Sequence, residues 1–124
     1  MREIKFRAWD KENKKMMKVS SLSLENKEIA VRENGTYHFF RMQNLELMQY
    51  TGIKDKNDKE IYEGDIVVLN NIENDNMCIV RYEHSSYRLE GWSLREDLSN
   101  VEDRFLEVVG NIYESKNLLE ENNW

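Results

Sequence analysis

One stretch of this 124-residue chain, residues 49–69 (QYTGIKDKNDKEIYEGDIVVL), limits the possible folds more than any other. A strand-like segment leads into a charged turn at residues 55–59, a short apolar segment follows, and a Gly64-Asp65 corner precedes the apolar run Ile66–Leu69. Apolar runs this short, separated by charged or Gly-containing turns, are typical of β-strands. The stretch therefore predicts strands joined by tight turns, with Gly64 required for its backbone conformation.

The flanking segments have the same pattern of short strands and turns. Ile4, Phe6 and Ala8 alternate with the polar residues Lys5 and Arg7. This period of two indicates a strand with one buried face, and residues 1–24 predict a β-hairpin whose second strand extends to Leu24. Residues 45–50 fit either a strand or a helical turn. Further strands are predicted at residues 28–32, 37–40, 66–69, 77–82, 87–92 and 105–113.

Three local signals complete this pattern. Asn34-Gly35 between two extended segments predicts a hairpin, because both residues tolerate positive φ. Gly110 within the last strand predicts a bulge or bend, and Ser115 is predicted to cap a short C-terminal helix. Many short strands without proline, linker or repeat favour a single all-β domain, a barrel or a sandwich.

The charge distribution weakens the case for nucleic-acid binding. The net charge is −6; residues 1–18 hold seven Lys or Arg against three acids, whereas residues 96–124 hold two against eight. Phosphate contacts need local positive charge, so an acidic chain is a poor candidate for non-specific binding of DNA or RNA. The alternative that we keep is a nucleic-acid-associated accessory factor that uses the basic N-terminal hairpin or the Arg81–Arg95 region.

Cysteine usage and hydropathy point to the cytoplasm. Cys78 is the only cysteine, so no disulfide forms within the chain, and its apolar neighbours predict a buried thiol. No apolar run approaches the roughly 18 residues of a membrane span. The N-terminal residues lack the apolar centre of a signal peptide. We therefore expect a cytoplasmic protein without a membrane partner.

The acidic cluster in residues 55–65 does not predict a metal site. A Ca²⁺ loop that starts at Asp55 would have Lys59, Glu60 and Ile66 at positions where ligands, glycine and glutamate are needed. A charged, solvent-facing turn is the better interpretation of Asp55, Asp58, Glu60, Glu63 and Asp65. His38 and His84 have no second histidine at metal-binding spacing, and His84-Ser85-Ser86 lacks a nucleophile elbow and is predicted to be a turn. We therefore expect no enzyme activity, no catalytic residue, no cofactor and no metal.

The aromatic residues and their neighbouring arginines are the remaining candidates for binding. Aromatic side chains beside arginine bind single strands or proline-rich peptides on small barrels, although aromatics in a small β domain mostly form its core. The predicted partner-binding residues are Trp9, Arg81, Tyr87, Arg88 and Trp92.

Three segments of the chain resemble the YopX family, small proteins encoded by bacteriophages and prophages. They are REIKFRAWD at residues 2–10, MQYTGIKDKNDKEIYEGDIV at 48–67, and VVGNIYE at 108–114. The chain has Asp58 where the family has glycine, and it lacks the family's proline after the third segment; both differences fall in turns. The resemblance implies a mainly β fold, with an N-terminal β-hairpin region at residues 1–48 and an SH3-like barrel at residues 49–124.

The resemblance supplies no activity, so the functional expectation comes from the residues. We expect an uncharacterised phage or prophage protein that acts as a non-enzymatic binding module, through contacts with a protein partner in phage–host biology. Homo-oligomerisation is left open, because exposed sheet edges or aromatic residues would support it.

Overall fold

The computed structural model describes residues 3–91 and 94–121 as a mainly β protein with one short α-helix. The chain forms two compact units, Met1–Gln49 and Tyr50–Trp124. Strand β6 (Leu45–Lys54) begins in the first unit and ends in the second. Residues 45–50 are therefore extended, which decides between the two conformations that the sequence allowed.

The first unit begins with the predicted hairpin. Strands β1 (Phe6–Asp10) and β2 (Lys15–Lys18) pair antiparallel, and β1 also pairs with the beginning of β6. The hairpin is shorter than predicted, because the chain leaves β1 after Val19, whose N–H donates to the carbonyl of Phe6. Residues Ser21–Ser23 form a separate strand, β3, which pairs with the next strand instead.

A three-stranded sheet follows in the same unit, in the order β3, β4 (Glu28–Glu33), β5 (Thr36–Arg41). The two-residue loop between β4 and β5 is the predicted Asn34-Gly35 turn, and both residues have positive φ, 51° and 79°. Such a turn matches the twist of the strands that it joins. The core cluster of this unit consists of the buried side chains of Ala8, Met17, Ile29, Val31 and Leu45.

The second unit contains five strands that form an antiparallel sheet: β8 (Asp65–Leu69), β9 (Met77–Glu83), β10 (Ser86–Gly91), β11 (Arg95–Asp97) and β12 (Leu106–Asn111). Their order is β11, β10, β9, β8, β12, so β8 to β11 form a meander and β12 returns to pair with β8. Its buried core includes Ile61, Val67, Val80, Leu89 and Leu106. Two 3₁₀ turns, Leu98–Asn100 and Asp103–Phe105, separate the last two strands. The other elements of this unit after β6 are the short strand β7 (Glu60–Tyr62) and the helix α1 (Lys116–Glu121).

The predicted glycine positions are confirmed. Gly64 has a φ of 88°; its N–H donates to Val80 and its carbonyl accepts from Ile112. The register of β12 against β8 shifts between Val108 and Gly110, as expected for a bulge. In the described ranges, no helix has the length and apolar character needed to cross a membrane.

Candidate functional site

The predicted partner-binding residues are distributed over both units. Trp9 is half-buried in β1 of the first unit. Arg81 and Arg88 lie opposite each other on β9 and β10 of the second unit. Tyr87 is buried in that unit's core, 5.0 Å from the ring of Tyr82. Trp92 lies outside the described residues. Within the second unit, Arg81 and Arg88 are cross-strand neighbours, whereas Tyr87 points to the core face of the same strand. The binding role of all five residues stays a prediction.

Acidic residues accompany the basic residues on which nucleic-acid binding would depend. In the N-terminal hairpin, Lys11 Nζ is 3.1 Å from Glu46 and Lys15 Nζ is 2.6 Å from Glu33. In the second region, Arg81 Nε is 3.0 Å from Glu90. An ion pair cancels much of the positive potential that phosphate would experience.

The acidic cluster is structural, and its interpretation as a solvent-facing turn is wrong for Asp55 and Asp65. Both are buried, and Asp58 is exposed. Asp65 Oδ2 accepts the backbone N–H of Tyr62, which closes the Gly64 corner. The Asp55 carboxylate accepts backbone N–H bonds from Asn57, Lys59 and Val108, and thereby joins the β6–β7 turn to β12.

The other candidate reactive groups also have structural surroundings. Burial raises the pKa of the Cys78 thiol to about 11, so this side chain is a neutral core residue at pH 7. His84 and Ser85 form the predicted turn, both with positive φ. Among the residues that the structure describes, no group of three or more His, Cys, Asp or Glu side chains is placed to hold a metal ion.

A cavity of about 240 Å³ lies beside His38 in the first unit. The charged groups that line the cavity have partners within the unit. Lys15 forms an ion pair with Glu33. Asp10 accepts hydrogen bonds from the Asn13 side-chain amide and from N–H groups of the same turn, and these bonds lower its pKa. Its lining gives it a mixed polar and apolar surface. The lining residues are Asp10, Asn13, Lys15, Met17, Val31, Glu33, His38 and Phe40.

Strand β5 carries two exposed aromatic side chains, and none of its residues is among the predicted partner-binding residues. It is one of the two edge strands of its sheet, and every residue in it except Phe40 is exposed. Tyr37 is 52% exposed and Phe39 64% exposed, on the face opposite to Phe40. The guanidinium of Arg32 lies 5.7 Å from the centre of the Tyr37 ring. We call residues 36–41 the edge strand.

The edge strand also has free backbone groups. Its residues pair with β4 on one side, and within the described part of the chain no hydrogen bond uses the other side. Natural edge strands are commonly protected by lysine, proline, bulges or inward charges. The sequence TYHFFR has none of these features at its centre. A long, exposed, aromatic edge is a surface for binding by strand addition.

Comparisons with known proteins agree with this fold. The sequence profile described as YopX protein matches residues 5–120. The crystal structure of EF1440 from Enterococcus faecalis has 29% sequence identity and a TM-score of 0.71, over 96% of this chain and 99% of that one. The crystal structure of yopX from Bacillus subtilis has 20% identity and a TM-score of 0.65, over 93% and 97%. No curated protein sequence matches. With nearly its whole length matched by the profile, the chain belongs to the YopX family.

Proposed function

We propose that this protein is a non-enzymatic binding module that acts through protein contacts in the cytoplasm of a bacterial host, as part of phage–host biology. The observation that carries the proposal is the edge strand, which pairs with β4 on one side only and has two exposed aromatic side chains. Exposed apolar area of this kind is costly for a soluble domain unless a partner covers it.

Strand addition is the binding mode that this surface supports. An extended segment of the partner would pair with β5 through backbone hydrogen bonds, which supply much of the affinity. Tyr37 and Phe39 would contact alternate side chains of that segment and supply selectivity, because their rings lie on one face of the sheet. Aromatic residues at such positions commonly dominate binding energy.

We further propose that the second unit is an SH3-like barrel that serves as the scaffold. In support, β8 to β11 form an antiparallel meander, and β12 returns to pair with β8. The two 3₁₀ turns before β12 lie at the crossing from the end of the meander to its beginning. A fold of this class hosts many functions, so the binding role rests on the edge strand and not on the fold.

Substituting Phe39 with serine is expected to reduce the recovery of a specific partner at least roughly tenfold, because it removes the most exposed ring of the edge strand. The measurement is affinity capture from nuclease-treated bacterial lysate. The matched control is Leu24→Ser, which removes a side chain that is 76% exposed but lies in the β3–β4 turn.

Hydrogen exchange on the recovered complex tests the binding mode. Strand addition protects the backbone amides of Tyr37, Phe39 and Arg41 and leaves the β3–β4 turn unchanged. Equal capture by wild type and by Phe39→Ser, with both proteins folded by circular dichroism, would contradict the proposal.

The nucleic-acid alternative has weaker support, because the ion pairs of Lys11, Lys15 and Arg81 with carboxylates reduce the positive potential of both candidate regions. We expect no salt-sensitive binding when the protein is titrated against labelled single- and double-stranded DNA and RNA at low and moderate salt. Binding that weakens steeply with salt and is lost in Arg81→Gln or Lys18→Gln would favour the alternative instead.

A further inference from the structure

We infer that the partner of the edge strand is a second copy of the same chain, paired antiparallel with Phe39 opposite Phe39 across a two-fold axis. This inference rests on the proposed function, because it uses the same strand and names its occupant. Pairing of two edge strands would join two three-stranded sheets into one sheet of six. Two-fold dimers are the commonest homo-oligomers, and they bring the same patch of both copies together.

Alternate residues of β5 direct their backbone groups toward β4 and toward the free edge. In an antiparallel pair, hydrogen-bonded and non-hydrogen-bonded residue pairs alternate. The carbonyl of Ala30 accepts from Ser20 N–H at 2.8 Å, and the N–H of Arg32 donates to Ser20 Oγ at 3.2 Å, so both residues of β4 direct these groups away from β5. Their partners across the strands, Phe39 and Tyr37, therefore direct N–H and C=O toward the free edge.

Two-fold symmetry restricts the register in which two copies of β5 can pair. A two-fold axis through two antiparallel strands is perpendicular to the sheet, so each face of one copy continues into the same face of the other. Only registers centred on a residue satisfy this condition, and the centre of β5 offers His38 or Phe39. With Phe39 on the axis, residues 37, 39 and 41, whose backbone N–H and C=O groups face the free edge, form three hydrogen-bonded residue pairs and about six hydrogen bonds. With His38 on the axis, only two such pairs form, with about four hydrogen bonds.

The side chains favour the same register. On the exposed face, the two Phe39 rings would meet at the axis, and each Tyr37 would lie beside the second copy's Arg41, an arrangement that allows cation–π contact. On the opposite face, each His38 would lie beside a Phe40 rather than beside another His38. The edge strand contains no acidic residue, so the pairing brings no carboxylates together although each chain carries a net charge of −6.

The contact is small, and this limits its strength. Five residues from each copy take part, so the buried area falls at or below the lower end of specific interfaces, roughly 1,200 Å² in total. We therefore expect a dissociation constant on the order of 10–100 µM. Two chains of net charge −6 repel each other, so dimerisation strengthens when salt is raised, the opposite of nucleic-acid binding.

Sedimentation equilibrium of the full chain over a concentration series tests the dimer. Wild type and Leu24→Ser are expected to approach twice the monomer mass at several hundred micromolar, whereas Phe39→Ser stays monomeric. A wild type that is monomeric throughout would overturn the inference, and so would a dimer that Phe39→Ser leaves intact. In the first case, capture of another protein that is lost in Phe39→Ser would leave the proposed function standing.

Disulfide trapping tests the register. Tyr37→Cys mixed with Arg41→Cys is expected to give an oxidised heterodimer, because opposite residues lie within disulfide reach. We expect no crosslink with either variant alone, because residue 37 of one copy is roughly 13 Å along the strand from residue 37 of the other, and the same holds for residue 41. Cys78 is buried and contributes little background. Crosslinking of Tyr37→Cys with Phe39→Cys instead would indicate the His38-centred register and overturn the stated one, and no crosslink in either mixture would overturn the pairing.

Discussion

Replacing Asp55 with alanine is expected to lower the free energy of unfolding by about 4 kcal/mol, the range for breaking a buried network of charge-assisted hydrogen bonds. Asp55 is only 4% exposed. Its Oδ1 accepts the N–H groups of Asn57 and Lys59, both at 2.9 Å, and its Oδ2 accepts that of Val108 at 2.9 Å from 53 residues away. Alanine leaves these donors without an acceptor inside the protein.

Asp55→Asn separates the hydrogen bonds from the packing. Asparagine has nearly the same shape but one acceptor oxygen, so its NH₂ group must face one of the backbone N–H donors. We expect about half the loss seen with alanine, measured by urea or thermal unfolding. The matched control is Asp58→Asn in the same turn. Asp58 is exposed and has a φ of 65°, which asparagine tolerates, so its substitution is expected to be nearly neutral. Equal losses at both positions would contradict this role of Asp55.

The same carboxylate predicts a pH dependence. Burial opposes ionisation of Asp55, but the N–H bonds from Val108, Lys59 and Asn57 outweigh it and hold the pKa below its ordinary value of 3.8. A pKa that is lower in the folded state gives stability that is present above pH 3.8 and lost as the pH falls below it. The melting temperature of wild type is therefore expected to fall more steeply below about pH 4 than that of Asp55→Asn.

The local elements of the fold could be predicted from the sequence, because each depends on residues close together in the chain. The Asn34-Gly35 hairpin, the Gly64 corner and the Gly110 bulge are examples. The role of Asp55 could not be predicted, because its third donor, Val108, lies on a distant strand. A charged turn on the surface and one that packs against another strand have the same local composition.

The strand at residues 37–40 was predicted, but its position at the edge of a sheet was not, for a related reason. Aromatic residues at positions 37, 39 and 40 place apolar side chains on both faces, a pattern typical of a fully buried strand. Only the strand order shows that β5 has a neighbour on one side alone, which exposes Tyr37 and Phe39. Strand order depends on pairings between separate segments, such as β3 with β4 in place of a longer β2. The alternation of residues within one strand contains no information about it.

Gly110→Ala is expected to destabilise the protein by about 2–3 kcal/mol, because the new methyl group would overlap its surroundings. A Cβ at this position would lie 2.7 Å from Ser115 Cβ, would clash with Ser115 Oγ, and would come within 3.3 Å of Leu118. Ser115 cannot move freely, because its hydroxyl accepts the N–H of Asn111 and its own N–H donates to the Asn111 carbonyl. Ser115, which was predicted to cap the C-terminal helix, thus connects the end of β12 to the turn before α1 through these two hydrogen bonds.

Ser115→Gly provides the test of this cause. In the Gly110→Ala background it removes the clashing atoms, so the double variant is expected to recover at least about 1 kcal/mol relative to additivity in a double-mutant cycle. Val109→Ala is the control, because Val109 lies in the same bulge but is 40% exposed, and its substitution is expected to change the unfolding free energy by less than about 0.5 kcal/mol. If the losses of the two substitutions were additive, the overlap with Ser115 would not be the cause of the destabilisation by Gly110→Ala. Relief of that overlap is the only way in which Ser115→Gly could stabilise the double variant.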